Sequence, residues 1–141
     1  MNALWPDLML FGEWCVAVHS VTYQSLPDWF LAFDVFDRSA ERFWSTRRRD
    51  ELLDHLGLHS VPHLGRGHFG IDDLVDLMTT SHVGSHPMEG LYVREESGNW
   101  LMRRAKLVRA EFVRAIDTHW SRMPMRRNDL AHPEQGANPW R

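Results

Sequence analysis

Hydrophobic and polar residues alternate near the start of the chain in the manner of strands. Residues 8–11 and 14–19 are rich in aromatic and β-branched side chains, with Gly12 and Glu13 between them, which predicts a hairpin or a bulged strand pair. Leu26 and Pro27 set a turn. The following run, Trp-Phe-Leu-Ala-Phe-Asp-Val-Phe at 29–36, is short and apolar at nearly every position, as a strand buried on both faces would be. Thr46 can cap a helix reaching about Leu56, with Leu52, Leu53 and Leu56 on one face and Gly57 as its stop. Ile71, Leu74, Val75 and Met78 repeat at helical spacing and predict a second amphipathic helix. Residues 90–96 and 100–108 flank Ser97-Gly98-Asn99, whose turn chemistry predicts an antiparallel hairpin. Phe112, Ala115, Ile116, His119 and Trp120 form one stripe of a closing helix that Pro124 should end.

These elements give an α+β fold class, antiparallel sheets with flanking helices, in a single domain over residues 1–122. Residues 123–141 combine Pro133, Gly136 and Pro139 with polar side chains and no period, which predicts a poorly ordered tail. A 43% hydrophobic content with seven tryptophans suits a globular domain. No apolar stretch is long enough to span a membrane, and the first residues lack the pattern of a secretory signal, so a cytoplasmic protein is expected. The one cysteine, Cys15, agrees with a reducing compartment and is expected to be a buried thiol. Net charge is −3, so any affinity for nucleic acid must come from local clusters of cations. Arg47, Arg48 and Arg49 form one such cluster. They stand at the helix end that favours acids and read first as a solvated face rather than a phosphate contact.

Lys106 is the only lysine among 16 basic side chains. Lysine can lose its proton when buried and act as a nucleophile, or place a compact charge against a phosphate, as arginine cannot. Its neighbourhood, Arg103-Arg-Ala-Lys-Leu-Val-Arg109, follows three other suggestive segments: Leu10-Phe-Gly-Glu-Trp14, Phe30-Leu-Ala-Phe-Asp-Val-Phe36 and Glu89-Gly-Leu-Tyr-Val-Arg94. In this order, over about residues 8–120, they resemble the later motifs of the covalent nucleotidyltransferases, the superfamily of RNA ligases, DNA ligases and mRNA capping enzymes. The ATP-dependent RNA ligases are the nearest match. The resemblance implies a partial nucleotidyltransferase domain, of the ATP-grasp-like ligase kind, that binds ATP with Mg²⁺ and acts on RNA ends by adenylyl transfer and sealing.

Carried over by residue, the resemblance implies that Glu13 contacts the nucleoside sugar, where a carboxylate accepts hydroxyl hydrogen bonds. Phe33 would stack on the adenine, a task suited to a flat apolar ring. Asp34 beside it is grouped with Glu13 and Phe33 at the nucleotide; it interrupts an apolar strand and needs a hydrogen-bond or metal-water partner. Glu89 would help hold Mg²⁺ near the phosphates. Arg104 and Lys106 stand two apart on a strand, hence on one face, and both could address the α-phosphate. Arginine replaces the lysine usual at the first of these positions, which makes Lys106 the firmer assignment.

The family's first motif, Lys-x-Asp-Gly, does not occur in the chain. Lys106-Leu-Val-Arg109 lacks its acid and glycine, so the adenylylated lysine is missing. The expectation is a C-terminal part of an adenylyltransferase domain, inactive alone, with unpaired strand edges and poor solubility. The alternative is a non-catalytic nucleotide- or RNA-binding half of a split ligase whose second chain supplies the first motif. A histidine metal site is the weaker third reading, because His82 and His86 fall in a Gly- and Pro-containing loop, where an i, i+4 spacing does not align ligands.

Overall fold

The computed structural model describes residues 6–18, 21–78, 81–110 and 124–133. Its elements are β1 (Leu8–Trp14), β2 (Phe30–Asp37), β3 (Arg42–Phe43), α1 (Thr46–Leu56), β4 (His59–Ser60), α2 (Ile71–Leu77), β5 (Gly90–Ser97) and β6 (Trp100–Val108). They confirm the α+β class, with a four-stranded sheet ordered β1-β2-β3, β4 also pairing β2, and a separate β5-β6 hairpin. The closing helix read at 112–120 lies outside the described residues.

The first two apolar runs do not make a hairpin. β1 is continuous and pairs antiparallel with β2, and the Gly12-Glu13 break is a register shift in which Phe11 faces Asp34 and Gly12 faces Ala32. Phe33 is thus the extra residue on β2, a bulge that re-aims the side chains around it. Gly12 is required at this point, since a Cβ there would lie 2.8 Å from the Leu31 carbonyl oxygen and closer still to the Phe30 ring. Met9, Phe11 and Trp14 are exposed on β1, the outer strand of the β1-β2-β3 path among the described residues.

β2 is the spine of the core, as its apolar run predicts, with Leu31, Ala32 and Val35 all buried. α1 lays Leu53, 2% exposed, into that core, a burial that contributes about 1.5–3 kcal/mol. The N-cap is Ser45 rather than Thr46, and Gly57 closes the helix in the left-handed conformation at φ 66°. Thr46 is engaged elsewhere: its backbone N–H and hydroxyl both donate to the Glu96 carboxylate. That carboxylate, brought from β5, supplies the negative charge that the first turn of α1 lacks in its own sequence. α2 forms where the periodicity predicts it, but Ile71 and Val75 are exposed while Leu74 and Leu77 turn to a cleft.

The predicted poorly ordered tail needs correction over residues 126–131. Backbone hydrogen bonds tie this stretch to Val16, Val18, Tyr23 and Leu26, and Leu130 joins a core cluster with Cys15, Leu26 and Leu31. Asn128, 3% exposed, donates to the Cys15 carbonyl at 2.9 Å and accepts from the Tyr23 N–H at 2.8 Å. Polar composition suggested disorder here, but the polar groups are spent on the backbone of the segment between β1 and β2.

Candidate functional site

The β5-β6 register sets Tyr92 opposite Lys106 and Arg94 opposite Arg104. Directly opposed residues share a face of an antiparallel pair, so one face of the hairpin presents a phenol and three cations. That face meets β2 across a cleft of about 1100 Å³, and Glu13, Phe33, Asp34, Glu89, Arg104 and Lys106 all border it. The six residues singled out in sequence are therefore brought together from β1, β2, β6 and the residue preceding β5.

Asp34 has its partners inside the protein. At 1% exposure it accepts from the Tyr92 hydroxyl at 2.7 Å, from Arg104 Nη1 at 3.2 Å and from Arg94. This answers the requirement for a partner within the protein: Asp34 anchors Arg94 and Arg104 on the hairpin face. Arg104 is half exposed, so its guanidinium can still reach a ligand. It also lies 4.3 Å over the Phe43 ring. Phe33 meets Tyr92 edge to face at 6.1 Å, which leaves ring surface toward the cleft.

Arg94, the last residue of the Glu89–Arg94 segment and given no role from sequence, is the node of the site. Its Nε donates to Glu96 at 2.8 Å, its Nη2 to the Trp44 carbonyl at 2.6 Å and its Nη1 to Asp34 and to the Phe33 carbonyl. The Phe33 carbonyl, on the bulge, also accepts from Arg49 Nη1 at 2.9 Å. Arg49 is buried and so is not the solvated residue its sequence context suggests. The alternation Tyr92, Arg94, Glu96 on a predicted hairpin was a signal for the first of these roles, but nothing local marked Arg49.

Burial pushes the Glu96 carboxyl up, yet hydrogen bonds from Thr46 and Arg94 outweigh it and hold the group below its ordinary value of 4.5. A carboxyl depressed in this way contributes stability that is fully present above its ordinary value and is lost as pH falls through the folded value. Thermal unfolding followed from pH 7 to pH 3 should show a steeper acid decline in the native chain than in Glu96→Gln. Parallel curves would remove Glu96 from the account.

The other end of the cleft is acidic. Burial, followed by the charges of Glu13 and Glu89, pushes the Cys15 thiol up to about 12, which keeps it protonated at neutral pH and unsuited to nucleophilic attack. The same causes raise Tyr23, which also hydrogen-bonds Glu89. Among the described residues no group of three or more His, Cys, Asp and Glu converges as a metal cage. A single carboxylate such as Glu89 can serve a cation like Mg²⁺, which keeps most of its waters and takes further ligands from a substrate's phosphates. Among the described residues no helix is long and apolar enough to cross a membrane.

A family model described as RNA ligase matches residues 2–108, a span that takes in every strand of the cleft. No curated protein and no solved structure matches the chain.

Proposed function

We propose that this chain, which belongs to the RNA ligase family, binds an adenine nucleotide in the cleft as an RNA ligase-like domain but does not form the covalent lysyl-AMP intermediate by itself. The observation that carries the reading is the convergence of Glu13, Phe33, Glu89, Arg104 and Lys106 on one cleft from four separate sequence segments. In it Phe33 packs against the base and Glu13 accepts from the ribose hydroxyls. Arg104 and Lys106 hold the negative charge of the phosphates, with Asp34 fixing Arg104 from behind. Glu89, steadied by Tyr23, holds Mg²⁺, which supplies further neutralisation of phosphate oxygens when bound.

Covalent adenylylation needs a lysine amine at the α-phosphate, and the chain's only lysine is Lys106. It is exposed on the hairpin in a phosphate-binding position and lacks the motif of the family's nucleophile. RNA ends are the expected second substrate, and a second chain bearing the first motif is the partner that would complete the reaction. Incubation with ATP labelled at the α-phosphate should leave this chain without covalent label. Calorimetry should detect reversible ATP binding, weakened about tenfold by Lys106→Met, the effect of removing one charge-assisted hydrogen bond. Covalent label on this chain, or no ATP binding at all, would sink the proposal.

A further inference from the structure

Arg48 lies 3.7 Å over the Trp44 ring and 5.0 Å over Trp100. Arg42, from β3, lies 4.8 Å over the same Trp100 and points Nη2 at the Met102 sulfur, 3.3 Å away. Its neighbour Phe43 carries Arg104, which borders the cleft. A strip of guanidiniums, three of them on aromatic shelves, thus leaves the cleft mouth at Arg104 and runs through Arg42 to Arg48, with Arg47 beside it at the start of α1. Trp44 is 3% exposed, so the shelf under Arg48 is fixed in the core.

We propose that this strip binds the phosphate backbone of a single-stranded RNA and leads its end to the cleft, an inference that rests on the nucleotide-binding reading above. Three observations carry it. The chain has a net charge of −3, so a polyanion can be attracted only where cations are gathered, and here they are. A guanidinium stacked on a ring keeps its N–H edge for phosphate oxygens and has already lost part of its rotamer freedom. The acids beside the strip leave that charge available. Arg47 pairs with Glu51 at 2.6 Å and donates to the Asn99 side chain at 2.5 Å, but Arg47 and Glu51 are both about 60% exposed, so these are surface contacts that water and a phosphate can replace. Asp37 is occupied by the Ala40 N–H and the Trp44 indole and is 3.8 Å from Arg48. Phosphate binding of this kind positions a strand without reading its bases.

The test uses the full chain and a 5′-phosphorylated, fluorescently labelled single-stranded RNA of about 12 nucleotides, a length within the site sizes of single-strand binders. Binding is followed by anisotropy over a range of salt concentrations. Arg42→Glu with Arg47→Glu, both at exposed positions, should weaken binding at least tenfold. It should also lower the slope of log affinity on log salt by about 1.4, or 0.7 for each phosphate no longer neutralised. ATP affinity should stay unchanged. Arg103→Glu with Arg127→Glu makes the same change of charge away from the strip and should leave RNA binding within twofold. Equal weakening by both pairs would show diffuse attraction and overturn the strip, as would RNA binding indifferent to the first pair. A native chain that binds ATP but not RNA overturns the strip alone. One that binds neither overturns the reading of the cleft as well.

Discussion

Arg94→Ala is expected to remove about 3–5 kcal/mol of folding stability, the range for deleting one partner of a buried ion pair. The guanidinium has carboxylates on two sides, Asp34 at 1% side-chain exposure and Glu96 at 16%, and it also closes the carbonyls of Phe33 and Trp44. Its removal strands charge and acceptors together in a place that water reaches poorly. Lysine in its place keeps the charge but supplies a point donor instead of a planar fork, so Arg94→Lys should recover only part of the loss. Adding Asp34→Asn to Arg94→Ala removes the stranded charge, and the double variant should lose less than the two single losses summed. Urea unfolding with equal slopes would measure each value. A cost below about 1 kcal/mol for Arg94→Ala would mean that the pair does not hold the two sheets in register.

The expected magnitude also shows why the site is only partly legible in the sequence. The hairpin and β2 could be read because their signals are local: a Ser-Gly-Asn turn between alternating runs, and a continuous apolar octet. Motif order then located Glu13, Phe33, Glu89, Arg104 and Lys106, and the cleft brings them together. What could not be read depends on partners far along the chain. Arg94 reaches Asp34 across 60 positions, and Asn128 reaches Cys15 across 113. No periodicity marks a polar side chain whose partner is another segment's backbone. The bulge at Phe33 was hidden for a related reason: a register shift belongs to two strands at once, so Gly12 in isolation suggested a hairpin or a bulged pair within residues 8–19 rather than an extra residue on β2. Two-residue strands such as β3 and β4 are too short to show a period at all, although β3 supplies both Arg42 and Phe43 to the surface leading from the cleft.

Gly90→Ala is expected to be the most damaging glycine substitution among the described residues, costing about 3 kcal/mol or more, at or beyond the upper end for overpacking. A Cβ at Gly90 would run into the Leu107 carbonyl oxygen and lie 3.1 Å from the Val108 Cα. Both are backbone atoms of the paired strand, so no rotamer change relieves the clash and β5 and β6 must separate where Gly90 faces Val108. At Gly12 the nearest atoms belong to the Phe30 ring, which can swing aside, and the one backbone atom in the way, the Leu31 carbonyl oxygen at 2.8 Å, is farther off than the Leu107 oxygen is at Gly90, so Gly12→Ala should cost less. At Gly57 a Cβ meets nothing within 4 Å, and only the left-handed backbone opposes it, a penalty of about 1–2 kcal/mol. The expected ranking is thus Gly90 above Gly12 above Gly57, checked by denaturant midpoints of the three alanine variants. Because Glu89 precedes the separated pair and Lys106 faces Tyr92 two positions along it, Gly90→Ala should also weaken ATP binding at temperatures where the variant is still folded. Gly57→Ala should not. A Gly90 variant that folds normally and keeps native ATP affinity would show that the spacing of the hairpin does not set the distance between its acidic and basic ends.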